Sequence, residues 1–210
     1  MTPEIGILDL GMGNLSSLFN AVYESGFDPV VLTAEQSLDS VTHLFLPGVG
    51  SFATAMGELG PFKRHVEQFL QDGRPLLGVC LGMQLLASRG TEGTPEGEGV
   101  AGLGCIPGRV DRLPTQEGLR LPHVGWNAVQ FRRHHPLLEN VKTDRDFYFV
   151  HSYCMSCDRD EDVLGETEYG APFTSVIARR NVAGVQFHPE KSQINGLRIV
   201  ENFCHWDGQC

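Results

Sequence analysis

Long apolar runs are missing from this chain: no stretch approaches the roughly 18 apolar residues of a membrane-spanning helix. A positive balance is missing too, since 16 Lys+Arg stand against 26 Asp+Glu, a net charge of −10 over 210 residues. Such a chain has no general basic face with which to wrap nucleic acid or an anionic membrane. Cysteine is sparse. Cys80, Cys105, Cys154, Cys157, Cys204 and Cys210 are too dilute for a disulfide scaffold. Met1-Thr2-Pro3-Glu4-Ile5 carries an acid in place of a basic n-region, and the apolar stretch breaks at Asp9, which argues against a signal peptide. Reduced thiols in the cytoplasm are then the default expectation. No Walker pattern, internal repeat or low-complexity linker occurs. What is present is ordinary for a globular protein, 41% hydrophobic and 20% charged residues, in a chain long enough to bury a core without staples.

The first third alternates short apolar runs with helical spacing. Ile5-Gly6-Ile7-Leu8, Pro29 to Leu32, His43 to Leu46 and Leu76 to Val79 read as buried strands. Between them, Leu15, Leu18, Phe19 and Val22 form one amphipathic helix, with Gly26 at its C-cap, and Phe62, Val66, Phe69 and Leu70 form another. Strands alternating with helices imply a parallel sheet covered on both faces. After a Gly- and Glu-rich loop at 91–99 the texture becomes short β-like runs: Arg109-Val110, Asn127 to Phe131, Phe147 to His151, Phe173 to Ala178 and Ala183 to His188. A last helix would bury Ile194, Leu197, Val200 and Phe203 or Cys204. The expected fold is therefore a single α/β domain: a mostly parallel central sheet, flanking helices and an antiparallel β extension.

Gly78-Val79-Cys80-Leu81-Gly82 follows a buried strand and opens a helix, the pattern of a nucleophile elbow with cysteine in the nucleophile position. Both glycines answer the crowding where strand turns abruptly into helix. The helix N-terminus beneath the sulfur favours a thiolate, and the Leu81 N–H would face an oxyanion. A thiolate nucleophile needs a base and an orienting acid. His188 ends an apolar run and precedes Pro189-Glu190; in extended backbone, residues two apart share a side, so Glu190 could reach its imidazole. His151 is the competing base, without an acid two residues on. The glycine-rich turn Pro47-Gly48-Val49-Gly50 could supply a second oxyanion donor. Gly11-Met12-Gly13 lacks the third glycine or alanine of a dinucleotide fingerprint, Ser16 standing there, and Cys154-Met155-Ser156-Cys157 lacks a second ligand pair for zinc.

Together these segments, with Gly102 to Gly108, Pro122-His123-Val124-Gly125-Trp126-Asn127, Tyr148 to Tyr153 and Gly184 to Ser192, make the chain resemble the class I (triad) glutamine amidotransferases. Within that family the Pro-Gly-Val-Gly turn, the Pro-His-x-Gly-Trp-Asn segment and the His-Pro-Glu-Lys-Ser ending resemble the glutaminase subunits that serve histidine biosynthesis. The resemblance implies one glutamine amidotransferase type-1 domain over 1–210, and a triad of Cys80, His188 and Glu190 that forms a γ-glutamyl thioester. It implies an oxyanion hole at Val49, Gly50 and Leu81, the turn flipping when the partner is loaded, and glutamine held by Gly48, Gln84, Ser152 and Tyr153. Asn14, Tyr148 and Lys191 match positions at the interface with a TIM-barrel cyclase on a separate chain, forming a heterodimer. Ammonia would pass through a channel to a ribulosyl substrate, yielding imidazole glycerol phosphate and an aminoimidazole carboxamide ribotide. No cofactor and no metal is implied. Three alternatives stay open at this point: a paralogous subunit for amidating a surface-polysaccharide sugar, a stand-alone cysteine γ-glutamyl hydrolase, and a non-catalytic regulatory module.

Overall fold

Short, fully apolar runs fold as parallel strands because both of their faces are covered. In a computed structural model, which describes all residues except 1, 12–14, 34–36, 96–97, 115, 117 and 210, these runs are β1 (Ile5–Leu8), β2 (Val30–Leu32), β3 (His43–Gly48) and β4 (Leu76–Cys80). Helices α1 (Leu15–Glu24), α2 (Phe52–Leu59) and α3 (Lys63–Gln71) connect them, and α4 (Leu81–Leu85) follows β4 without a linker. The second half adds β5 (Arg89–Gly90), β6 (Val100–Ala101), β7 (Gly108–Arg112), β8 (His123–Phe131), β9 (Arg145–His151), β10 (Tyr153–Cys157), β11 (Val163–Tyr169), β12 (Ala171–Arg179), β13 (Val182–Val185) and α5 (Gln193–His205).

Among the described residues, nine strands form one sheet in the order β2-β1-β3-β4-β13-β12-β11-β8-β9. The pairings from β2 through β13 are parallel and those from β13 outward are antiparallel. The antiparallel extension therefore continues the central sheet. A second sheet, β10-β7-β5-β6, stands beside it. Sequence spacing gave no sign of β5, β6, β10 or β11. The first two have two residues each, and β11 runs Val-Leu-Gly-Glu-Thr-Glu-Tyr without apolar–polar alternation, its polar Thr167 being buried and donating to Ser175 Oγ at 3.0 Å.

Two buried clusters cover the faces of the large sheet. One packs α1 and α5 against Phe45, Leu77, Phe147, Phe149 and Phe187; the other packs α2 and α3 against Leu44, Leu46, Leu76 and Ile177. The inward stripe of α5 is Gly196, Ile199, Val200, Phe203 and Cys204. Ile194, expected on that face, is 71% exposed, because at 100° per residue it lies nearly opposite the centre of the stripe.

Burial also fixes the charge state of several histidines. Desolvation lowers His123, His135 and His151 to about 4 each. Their unfolded values lie near 6.5, so between about 6.5 and 4 the unfolded chain binds more protons than the native one. The contribution of these three histidines is then greatest above that window and falls as the pH drops through it. Denaturant titrations across this range should show uptake of up to three histidine protons on unfolding. His135→Asn, which keeps an acceptor for the Leu137 N–H, should remove about one of them. An unchanged slope in that variant would contradict the assignment.

Candidate active site

β4 is buried along its whole length and ends at Cys80, whose φ of 55° and ψ of −111° lie where a side-chain-bearing residue rarely sits. Such backbone costs about 1–3 kcal/mol. In return the chain turns directly into α4 and leaves the sulfur at the end of the strand. The two flanking glycines are required by contact. A Cβ at Gly78 would stand 2.6 Å from the Gly82 carbonyl oxygen, and one at Gly82 would stand 1.7 Å from that of Leu46. The close approach draws β3 alongside, so that Gly48 pairs with Cys80 in register.

His188 lies just beyond β13, whose strand neighbour is β4, and its N–H donates to the Tyr148 carbonyl at 2.9 Å. Its Nδ1 and Glu190 Oε1 are 2.7 Å apart, with both side chains more than nine-tenths buried. The partners meet as expected but by a different route. Pro189–Lys191 is a single 3-10 turn, where extended backbone was expected, and the turn folds Glu190 back beneath the ring. Ser192 Oγ locks this turn, accepting from the Tyr148 N–H at 2.9 Å and donating to the His188 carbonyl at 2.6 Å. Burial disfavours a charged imidazole here, but the nearby Cys80 sulfur and the hydrogen-bonded Glu190 carboxylate outweigh it and raise His188 to about 10. Nε2 is buried without a hydrogen-bond partner among the described residues. That edge of the ring is left free of protein partners beside the pocket that Cys80 also lines.

Cys80 and His188 face a pocket of about 210 Å³, lined also by Val49, Gly50, Leu81, Gln84, Glu92, Val150, His151, Ser152 and Tyr153. This is smaller than the roughly 300–1,000 Å³ of drug-sized sites and suits a molecule of amino-acid size. Six of the residues singled out from the sequence (Val49, Gly50, Leu81, Gln84, Ser152 and Tyr153) are thus gathered around Cys80 and His188. Gly48 flanks Cys80 in the adjacent strand. Tyr148 and Lys191 lie together outside the pocket, the ammonium 5.8 Å from the ring centre, and Asn14 falls outside the described residues.

His151 lines the pocket, yet both ring nitrogens are engaged, Nδ1 with the Tyr153 carbonyl at 2.9 Å and Nε2 with His123 Nδ1 at 3.1 Å. It is held neutral with both nitrogens engaged, whereas His188 keeps Nε2 unbonded among the described residues. Glu92 was not singled out from the sequence, where it reads as one more acid in a polar loop. It reaches the pocket because Ala53 N–H binds its carbonyl and anchors the loop on α2. Burial raises its carboxyl above the ordinary range. Among the described residues, no three His, Cys, Asp or Glu side chains are grouped as metal ligands would be.

Residues 6–206 match the profile of the family described as glutamine amidotransferase class-I. Over 211 residues the chain is 42% identical to imidazole glycerol phosphate synthase subunit HisH 2 of Nitrobacter winogradskyi, covering 97% of this chain and 99% of that one. It is 44% identical over 200 residues to subunit HisH of Methanocaldococcus jannaschii, covering 95% and 97%. In fold it is similar to a solved structure of PurLQS from Thermotoga maritima, with a TM-score of 0.77, 15% identity and coverage of 98% and 99%. The chain belongs to the class I glutamine amidotransferase family.

The raised His188 value can be checked directly. Its ring nitrogen-15 shifts should remain those of an imidazolium through neutral pH and change only near pH 10. In Cys80→Ala the midpoint should move down, because one of the two groups that raise it is gone. A native midpoint near 6.5 would contradict the pairing.

Proposed function

We propose that this chain is the glutaminase subunit of an imidazole glycerol phosphate synthase, hydrolysing glutamine and passing the ammonia to a cyclase subunit. The family match and the near-full-length identity to HisH subunits support the reading. The observation that carries the chemistry is Cys80 on its elbow, facing a buried His188–Glu190 pair across an amino-acid-sized pocket.

In this reading the Cys80 thiolate attacks the carboxamide carbon of glutamine. N–H groups of Leu81 and of the turn at Val49 and Gly50 receive the oxyanion. His188, protonated at rest, gives its proton to the departing nitrogen, and ammonia leaves a γ-glutamyl thioester on Cys80. His188 then takes a proton from water, which attacks the thioester and frees glutamate. Glu190 holds the imidazole in the tautomer that presents Nε2 to the reaction. Gln84, Ser152 and Tyr153, with Gly48 behind them, hold the substrate, while the carboxylate of Glu92 suits its α-ammonium.

The partner is a TIM-barrel cyclase on a separate chain, docking at the face of Tyr148 and Lys191; Asn14 is given to the same interface by the sequence resemblance alone. Support comes from the apolar surface nearby: Val49, Val124 and Trp126 are exposed, and Trp126 packs edge-on to Tyr148 with ring centres 6.0 Å apart. Tyr148 also binds both ends of the His188–Ser192 segment through its backbone, so a partner pressing there acts directly on the base. Residues 1–210 are read as one amidotransferase domain acting in the cytoplasm.

Glutamate release should be near silent for the chain alone and rise strongly with a histidine-pathway cyclase and its ribulosyl substrate. In the same assay Cys80→Ala should abolish glutamine-dependent turnover while ammonium-dependent cyclisation continues, and Glu92→Gln should raise the KM for glutamine. Substantial activity alone, unmoved by partner and ligand, would instead indicate a stand-alone hydrolase. Loss of ammonium-dependent turnover would assign Cys80 to assembly.

A further inference from the structure

We infer that Gln186 is a further residue of the catalytic site: its side-chain amide donates to the Cys80 sulfur and holds it as a thiolate in attacking position. The inference rests on Cys80 as the nucleophile. Gln186 follows the β13 residue Val185, which pairs with Val79, so it comes level with Cys80 on the neighbouring strand. It is fully buried. A primary amide in such a place costs free energy unless its hydrogen bonds are made, and an apolar side chain would fill the space without that cost.

The polarity of the amide follows from its neighbours. Gln84 Nε2 lies 2.9 Å from the Tyr153 carbonyl, which can only accept, so the nitrogen of Gln84 must point that way. The same nitrogen lies 2.9 Å from Gln186, and its second proton needs an acceptor there. Gln186 therefore presents its oxygen to Gln84 and its nitrogen to the Cys80 sulfur, at 3.7 Å. Turning Gln186 over would set donor against donor, and turning Gln84 over would set acceptor against acceptor. The fixed carbonyl of Tyr153 thus dictates, through two glutamines, that the sulfur faces an N–H.

The other neighbours of the sulfur do not replace that donor. The Val150 carbonyl, 3.9 Å away, can accept from a thiol and offers nothing to a thiolate. Of the titratable groups around the pocket, His151 is neutral, Glu92 and Tyr153 carry no positive charge, and His188 is the one cation. The charge on His188 comes and goes during turnover, whereas the Gln186 amide never titrates and faces the sulfur throughout. Gln84 serves both partners: its nitrogen is committed to the network, and its oxygen is left for the substrate.

Gln186→Met keeps the length and bulk and removes the donor. The test compares this variant with the native chain, both in complex with the cyclase, for glutamine turnover and for the pH profile of iodoacetamide alkylation at Cys80, read by peptide mass. A hydrogen bond to a charged group is worth roughly one to two decades, so kcat should fall about 10- to 100-fold with little change in KM. The alkylation midpoint should rise by about one to two pH units. A raised KM with kcat and midpoint unchanged would overturn the inference and leave Gln186 as a wall of the pocket.

Should the variant not fold, the native chain still decides. The Gln186 side-chain amide resonances should move with pH at the Cys80 alkylation midpoint, and that movement should vanish in Cys80→Ala; an amide indifferent to that midpoint would overturn the inference. Glutamine turnover by Cys80→Ala would overturn the nucleophile assignment itself, whereas normal kcat and midpoint in a folded Gln186→Met would overturn this inference alone.

Discussion

The contact on which the site depends is the approach of the Gly82 backbone to the Leu46 carbonyl, so close that no side chain fits between them. It presses the start of α4 onto the end of β3. Cys80 is thereby held at positive φ, and the turn after Pro47 is set beside the sulfur. Two parallel strands, β3 and β13, locked in register on both sides of the fully buried β4, sustain the strain of the elbow. Strain of about 1–3 kcal/mol persists only where the surroundings over-determine the backbone, as they do here.

The sheet divides the labour of the pocket. Its parallel half delivers Cys80 and the glycine turn, while the strand-end segment 150–153 brings Val150, His151, Ser152 and Tyr153 from the antiparallel edge. His188 and Gln186 come from the strand where the two halves meet. Around them the polar groups are bound to one another before any ligand arrives: His123 to His151, His151 and Gln84 to the Tyr153 carbonyl. Such preorganisation leaves few groups to reorient when charge develops on the substrate. The other thiols among the described residues show the contrast. Burial pushes Cys105 and Cys154 up to about 11 and Cys157 and Cys204 up to about 12, which keeps them protonated and inert.

What was legible in the sequence was what is local. The elbow needs five consecutive residues, and the clash that Gly78 avoids, with Gly82, lies within them; the clash that Gly82 avoids, with the Leu46 carbonyl of β3, does not. His188 and Glu190 are two apart, so their pairing could be expected even though the turn joining them was not extended. Ile194 was misplaced because a one-sided reading of α5 ignored where the stripe is centred. Gln186, Glu92 and the His123–His151 pair were not singled out for the site, for a common reason: their partners lie far along the chain or in loops. Gln84 and Gln186 are 102 residues apart, and only the pairing of β4 with β13 makes them neighbours. A buried glutamine two residues before a candidate base carries no pattern of its own.

The central claim is that Cys80 carries the glutamyl group during turnover. Acid-quenching the chain, its cyclase partner and glutamine in the steady state, then mapping the cysteine-containing peptides by mass, tests it most directly. A glutamyl adduct is expected on the Cys80 peptide, sensitive to hydroxylamine and absent from the other five cysteines. An adduct on another cysteine, or undiminished glutamine hydrolysis by a chain with Cys80 replaced by alanine, would contradict it.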